Sequence, residues 1–243
     1  MGHAVGYIAL DNVSLVLDTT TSPTAGPAAP THDAADVISV FSDAYTSNVG
    51  LDNVTPWDGG SGFEVVDLSG DGSGDNVIKA KMQNFLGTQL SSGGTDFSGM
   101  THMHLDFWIA NDYQPGQVFK TKLSNHSGGN GETNSGIAQY TVVAADSQTW
   151  VSFDFELANL VEGVAGAGTA VDEVLQVLFD GANYLGLVYI DNFYFYDDGS
   201  AGGGGGGETP TTTTYCDTEV KHLNIAGETA STILLTIENS DAN

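Results

Sequence analysis

Short apolar segments recur at close spacing between residues 36 and 198, and none of them has a sustained helical period. Many short strands bury their apolar sides only against one another, so this pattern predicts an all-β domain of two packed sheets. A hint of a helical turn at 171–178 is outweighed by its β-branched residues, which favour a strand. The predicted strands are 37–43, 63–68, 76–82, 101–109, 117–124, 137–143, 150–157, 174–179 and 187–196.

Two low-complexity segments bound this domain. Residues 18–35 are rich in threonine, proline and alanine, which predicts an extended, semi-rigid linker. Residues 199–214 contain a run of glycines, 202–207, followed by threonines, which predicts a flexible tether. The central domain is therefore expected to cover residues 36–198.

The segments beyond the linkers also read as strands. Tyr7-Ile-Ala-Leu-Asp-Asn-Val within residues 1–17 repeats the pattern of Val188-Tyr-Ile-Asp-Asn-Phe, so we interpret it as the last strand of a preceding module. Residues 215–243 alternate like two strands but are too short to close a core, as expected for the start of a further β module. We expect a piece cut from a longer multimodular protein; alternatively, a terminal segment completes another copy by strand exchange.

The charge of the chain excludes several classes of partner. Asp and Glu number 31 against 5 Lys and no Arg, giving a net charge of -26. Such a field repels phosphate backbones and anionic lipid, so nucleic acid and membrane insertion are not expected. It favours solubility and calcium binding, in keeping with an extracellular or cell-surface location. Cys216 is the only cysteine, which rules out an intrachain disulfide.

The predicted strand 101–109 alternates between apolar and polar residues. Its core-facing set is Met103, Leu105 and Phe107, and its opposite set is His102, His104, Asp106 and Trp108. The opposite set resembles a glycan platform, where a flat ring stacks on a sugar and polar groups bond its hydroxyls, so His104 and Trp108 are candidate ligand-binding residues. An ordinary solvated or covered face is the alternative. A zinc site is disfavoured because no third ligand follows at a suitable spacing.

Aromatic residues in turns supply further candidates. Trp57 lies in a Thr-Pro-Trp-Asp-Gly-Gly turn, and an exposed loop tryptophan indicates a binding site. Tyr45 and Phe85 lie in segments that could reach the same edge of the sandwich. The alternative for Trp57 is a plug folded back on the sandwich end.

Two groups of carboxylates suggest Ca²⁺. Asp67, Asp71 and Asp75 are spaced four apart among glycines, an oxygen-rich loop that suits Ca²⁺, although a plain acidic turn is the alternative. Asp191 stands among apolar and aromatic residues, where a carboxylate is costly unless it is paired or metal-bound. We therefore expect Asp191 to be a structural calcium ligand, joined by Asp43 if the first and last strands are neighbours.

Catalysis finds little support in the sequence. There is no recognisable acid-base pair of carboxylates, no Gly-x-Ser-x-Gly turn and no phosphate-binding loop with lysine. The chain itself is therefore expected not to be an enzyme.

Four segments occur in an order that resembles jelly-roll carbohydrate-binding modules attached to secreted polysaccharide-degrading enzymes of marine bacteria. These segments are Val40-Phe-Ser-Asp-Ala-Tyr-Thr46, Phe97-Ser-Gly-Met-Thr-His-Met-His-Leu-Asp-Phe-Trp108, Trp150-Val-Ser-Phe-Asp-Phe and Val188-Tyr-Ile-Asp-Asn-Phe-Tyr-Phe-Tyr196. The resemblance implies a two-sheet jelly roll of the galactose-binding-domain type, with a structural Ca²⁺ near the last strand and no catalytic residue.

These observations predict a non-catalytic module that binds polysaccharide and keeps a covalently linked enzyme, a glycoside hydrolase or polysaccharide lyase, near its substrate. The alternative is a structural or adhesive cell-surface protein, built of tandem sandwiches that self-associate by strand exchange into filaments.

Overall fold

A computed structural model describes residues 21–46, 48–53, 61–70, 72, 74–82, 85–128, 131–182 and 185–199. All of these fall in one compact unit, residues 1–203; a second unit, residues 204–243, lies outside the described residues. The described helices are single 3-10 turns at Ala34–Asp36, Ala144–Asp146 and Leu157–Asn159. No helix in the described ranges is long and apolar enough to cross a membrane.

The strands form two six-stranded sheets in which every pairing is antiparallel. The first sheet contains β1 (Val37–Phe41), β3 (Gly62–Asp67), β4 (Asn76–Met82), β6 (His102–Ile109), β9 (Trp150–Glu156) and β12 (Gly186–Tyr196). The second contains β2 (Leu51–Asn53), β5 (Phe85–Leu90), β7 (Val118–Asn125), β8 (Asn134–Thr141), β10 (Val161–Glu162) and β11 (Val174–Ala182).

The order of the first sheet is β3-β4-β12-β6-β9, with β1 also paired to β12, and that of the second is β10-β8-β7-β11-β5-β2. Chain neighbours such as β6 and β7 lie in different sheets, so the chain crosses repeatedly between the two layers. The predicted all-β, two-sheet jelly-roll sandwich is confirmed.

The core lies between the two sheets and follows the alternation of the strands. Met103, Leu105 and Phe107 of β6 are fully buried, as predicted for the apolar set of that strand. Phe107 stacks on Phe119 of β7 with ring centroids 4.5 Å apart. Phe179 of β11 meets a ring of the first sheet in the same layer. Aromatic pairs of this kind join the two sheets into one core.

Every predicted strand has a counterpart in the structure, and the remaining strands are ones that the sequence pattern did not predict. The unpredicted strands are β2, β5 and β10. Of these, β5 is paired on both sides, with β11 and β2. The predicted terminal strand segments, residues 1–17 and 215–243, lie outside the described residues and stay predictions.

Residues 21–33, most of the described part of the predicted linker, lie against the outer face of the first sheet, and we call them the strap. The strap follows β12 along its length. Ser22 Oγ and Tyr189 OH are hydrogen-bonded at 2.9 Å, and His32 Nδ1 lies 3.1 Å from Tyr194 OH. The segment expected to be a spacer is therefore packed on the domain.

Candidate functional site

The predicted ligand-binding residues do not lie together. Tyr45, His104 and Trp108 are on the side of the first sheet, whereas Phe85 begins β5 in the second sheet. Trp57 lies outside the described residues. The structure therefore offers two separate faces to consider, one on each sheet.

Tyr45 presents no open ring face to the solvent. Its side chain is only 8% exposed and packs edge-on against Tyr194 at a centroid distance of 5.3 Å. Its hydroxyl donates to the carbonyl oxygen of His32 in the strap at 3.3 Å. This tyrosine acts as a support for the strap.

His104 lies on the outer face of β6, as predicted, but beneath the strap. Its ring stacks on Tyr194 at 4.7 Å. Its Nε2 is 3.6 Å from Asp106 Oδ1, and its Nδ1 is 3.9 Å from Asp154 Oδ2. Burial acts to lower the pKa of His104, but the two carboxylates outweigh it and raise that pKa to about 9. The ring is therefore an imidazolium at neutral pH.

Asp154 of β9 and Tyr196 of β12 complete this arrangement. The Tyr196 hydroxyl donates to Asp154 at 2.9 Å. Burial acts to raise the pKa of Asp154, whereas the neighbouring charge of His104 and the hydrogen bond from Tyr196 lower it below its usual value. Asp154 is therefore a stable anion beside the imidazolium.

Trp108 packs into a small apolar cluster on the same sheet. Its ring meets Trp150 edge-on at 5.9 Å, over Val77 and Tyr189. Its Nε1 is buried and has no hydrogen-bond partner in the described structure. At Trp108 the structure therefore fits the alternative of a covered face better than an open stacking surface.

Asp191 is buried, with an exposed fraction of 5%, as the sequence predicted. Its Oδ1 accepts a 2.6 Å hydrogen bond from the Asn192 backbone. Burial raises its pKa to about 7 despite that bond, and the charges of Asp43, Asp106 and Asp75 add to the effect. A proton is thus one way in which the fold accommodates this carboxylate.

The other predicted calcium ligands are held by protein hydrogen bonds. Asp43 accepts from the Asn76 backbone and side chain, and both oxygens of Asp75 accept from the Gly26 backbone at 3.1 Å. Asp67 accepts from Ser69 and Gly72 within its own turn, as an acidic turn would.

Asp71, the middle residue of that loop, lies outside the described residues. No set of three or more His, Cys, Asp or Glu side chains in the described part of the chain is placed to hold a metal ion. Ca²⁺ also takes backbone and amide oxygens as ligands, so calcium stays a prediction.

The outer face of the second sheet carries polar side chains in register across neighbouring strands. We call this set the polar face. One row across the strands is Phe85, Asp180, Lys120 and Gln139; the next is Leu178, Lys122 and Ile137; the third is Asp52, Gln89 and Gln176. Asp52 and Gln139 are exposed and the other members are half-buried.

The two lysines of the polar face are neutralised by carboxylates. Lys122 Nζ lies 2.8 Å from Glu132, and Lys120 Nζ lies 3.9 Å from Asp180. Burial acts to raise the pKa of Glu132, but hydrogen bonds from Lys122 and Ser124 lower it. This face therefore offers donors and acceptors without an excess of positive charge.

A serine–histidine pair lies at the end of β7, with Ser124 inside the strand and His126 just after it. Ser124 Oγ lies 3.0 Å from His126 Nε2, a spacing that resembles a nucleophile and its base. Ser124 is fully buried, and its hydroxyl donates to Glu132 at 2.6 Å. The hydroxyl is thus closed off from a substrate and engaged as a donor.

Sequence reasoning missed several residues of the two faces. Asn192 has a positive φ of 47° at a β-bulge and donates to Asp106 and to the Ala28 carbonyl of the strap. The Asp-Asn repeat was the available signal for it. Asp154 could have been found from the alternation of β9. Nothing in the composition of the strap singled out His32.

No protein-family model matches the sequence, and no curated protein matches it. In structure the chain is similar to the family 11 carbohydrate-binding module of the cellulosomal cellulase Lic26A-Cel5E of Clostridium thermocellum, with 14% identity, a TM-score of 0.43 and coverage of 56% of this chain and 81% of that one. It is also similar to the CBM22-1 xylan-binding domain from Paenibacillus barcinonensis Xyn10C, with 12% identity, a TM-score of 0.37 and coverage of 66% and 94%.

A further similar structure is a family 30 carbohydrate-binding module, with 12% identity, a TM-score of 0.40 and coverage of 62% and 79%. These solved structures are carbohydrate-binding modules, the class that the four sequence segments resemble, whereas an origin in marine bacteria stays a prediction. At such identities and scores the similarity assigns no ligand and no binding residue to this chain.

Proposed function

We propose that this domain is a non-catalytic module that binds polysaccharide on the polar face of the second sheet. The observation that supports it best is the register of that face, where amide, ammonium and carboxylate groups follow one another across adjacent strands. By contrast, the outer face of the first sheet is covered along β12 by the strap. The second sheet is therefore the better candidate for a long ligand.

The chemistry of the polar face suits a sugar chain. Sugar hydroxyls both donate and accept, and Gln89, Gln176 and Gln139 offer amides that do the same. Phe85 adds a ring beside Asp180, on which the C–H face of a sugar would stack. The strands from β2 to β8 span about 19 Å at the usual interstrand spacing, so several sugar units fit across the face.

The role of such a module is to raise the local concentration of substrate for an attached enzyme. Binding by one module makes the encounter of its covalent partner with the same polysaccharide effectively intramolecular. The glycine-rich segment 199–214 has the composition of a flexible tether for this purpose. We propose that the parent protein is a secreted glycan-degrading enzyme acting outside the cell.

The adhesive or filament-forming alternative depends on residues 1–17 and 215–243, which lie outside the described residues. Size-exclusion chromatography over a range of concentrations separates the two ideas. A monomer at all concentrations supports the binding module, whereas concentration-dependent polymers support strand exchange.

Affinity electrophoresis in gels containing laminarin, xylan, mannan, agar or alginate tests the proposed function. We expect retardation by at least one polysaccharide, and a loss of about tenfold in affinity for Gln176→Ala and Phe85→Ala. Gln114→Ala, an exposed glutamine in the loop before β7, is the matched control and should bind as the unmodified chain does. Retardation by no polysaccharide contradicts the function, and unchanged binding in both variants places the site elsewhere.

A further inference from the structure

A cavity of about 420 Å³ lies between the strap and the outer face of the first sheet. We call it the strap pocket. Its volume falls within the range of roughly 300 to 1,000 Å³ that is usual for small-molecule sites. Its walls combine aromatic and polar side chains, namely His32, His104, Trp150, Ser152, Asp154 and Tyr194.

The strap turns this part of the sheet from an open groove into a pocket. Trp150 Nε1 donates to the Ala25 carbonyl, and Asn192 Nδ2 donates to the Ala28 carbonyl, so the strap is fastened on both sides of Pro27. A polysaccharide running through the pocket would have to displace these bonds. A single sugar unit or the end of a chain would not.

The polar groups of the strap pocket leave a place for a hydroxyl. Both carboxylates lie more than 3.5 Å from the imidazole nitrogens, beyond hydrogen-bond distance. His104 Nδ1 is buried, out of reach of solvent, and has no hydrogen-bond partner in the described structure. Asp154 beside it is half-exposed, so a ligand hydroxyl that entered the pocket would donate to this carboxylate.

We propose that the strap pocket binds one neutral sugar residue, either free or at the end of a glycan chain, at a site separate from the polar face. Trp150, which is half-buried, supplies a ring surface for the C–H groups of the sugar. Ser152, exposed on β9, adds a hydroxyl that donates or accepts. The ligand would thus meet a ring surface and polar groups at the same time.

The charges of the pocket disfavour an anionic ligand. An anionic sugar would face Asp106 and Asp154, of which the imidazolium of His104 balances only one. A neutral ring with several hydroxyls meets no such repulsion, and tetramethylammonium is included as a probe because the remaining carboxylate would attract a cation. This inference does not depend on polysaccharide binding at the polar face.

The test is an NMR titration of the full chain, following the ring protons of His104. The probes are glucose, mannose, galactose and xylose, with tetramethylammonium as the cationic probe. The variants are Asp154→Asn, which weakens the hydroxyl contact, and Ser152→Phe, which fills the pocket from an exposed strand position where phenylalanine is well tolerated. Gln114→Ala, at an exposed position in the loop before β7, is the matched control.

We expect a saturable shift with at least one sugar, weakened about tenfold or more in Asp154→Asn and abolished in Ser152→Phe, but unchanged in Gln114→Ala. Thermal melts of each variant establish that it is folded. The proposal is overturned if none of the sugars shifts the resonances, if the shift persists in folded Ser152→Phe, or if tetramethylammonium alone produces it.

Discussion

The indole Nε1 of Trp150 donates a 2.8 Å hydrogen bond to the carbonyl oxygen of Ala25, which lies 125 positions earlier in the chain. This bond joins β9, at an edge of the first sheet, to the middle of the strap. Other strap bonds join Thr21 to the Ala110 carbonyl and His32 to Tyr45 and Tyr194. The strap is therefore a structural part of the domain.

Removing the strap should destabilise the domain. We expect a chain lacking residues 1–33 to be less stable by about 2 kcal/mol or more than a chain lacking residues 1–20, because several hydrogen bonds worth about 1 kcal/mol each are lost. Chemical denaturation of the two truncated chains measures the difference. Equal midpoints and slopes would show that the strap adds nothing to stability.

Gly26 should be sensitive to substitution. Its backbone N–H donates to Asp75, and a Cβ added at Gly26 would collide with a carboxylate oxygen of that residue. We expect Gly26→Ala to cost about 1 kcal/mol through the weakened hydrogen bond. Gly99→Ala is the matched control, because a Cβ added at Gly99 would have no atom within 4 Å. The two glycine variants would have equal stability if Gly26 were not constrained by Asp75.

The charge on His104 should make stability depend on pH. Its pKa is about 9 in the folded chain against an ordinary 6.5, so the proton is bound more tightly by the folded state. The stabilisation is fully present below pH 6.5 and is lost as the pH rises to 9, by up to about 3 kcal/mol.

Unfolding measured between pH 6 and 10 tests this dependence, with His104→Gln as the comparison. We expect the unmodified chain to lose stability relative to His104→Gln over that interval. If the two pH profiles run parallel, the carboxylates of Asp106 and Asp154 do not hold the proton.

Chelation tests the predicted calcium. Ca²⁺ bound only to the folded state would add about 3 kcal/mol when its free concentration is about a hundredfold above Kd, so we expect EDTA to lower the Tm. Asp191→Asn is the control, and its Tm should not respond to EDTA. An unchanged melt of the unmodified chain would remove Asp191 as a calcium ligand and leave protonation, favoured by its raised pKa, as the explanation for its burial.

Polysaccharide charge should matter for binding. With a net charge of -26, and with both lysines of the polar face paired, the domain should bind laminarin, xylan or mannan more tightly than alginate at low salt. Raising the ionic strength should reduce the difference in affinity between these neutral polysaccharides and alginate, because salt screens the repulsion between the acidic domain and alginate. Tighter binding of alginate at low salt would contradict this expectation.

The sequence predicted the buried side of β6 but not the existence of β5. In β6, the alternation of side chains correctly separated Met103 and Phe107 from His104, because a period of two is visible in one strand alone. The strand β5 was not predicted, since Phe85–Leu90 contains a glycine and a single β-branched residue. Its strand conformation comes from pairing with β11 and β2, which are distant in sequence.

The packing of the strap on the first sheet could not be predicted from the sequence either. The strap binds through backbone carbonyls of Ala25 and Ala28 and the backbone N–H of Gly26, and its composition shows no apolar pattern. Backbone groups are the same in every sequence, so composition indicated a linker. The location of His104 was predicted, while the closing of its surroundings into a pocket was not.

The route of the strap along β12 has a mechanical consequence. The described chain enters beside Ala110, near the start of β12, and leaves just after Tyr196, at the other end of that strand. A pull applied between the two ends of the described chain would therefore act along the axis of β12. In that direction the hydrogen bonds of the strap are loaded in shear and share the force. The strap should therefore resist a pull along β12 better than a pull that peels it from the sheet one bond at a time.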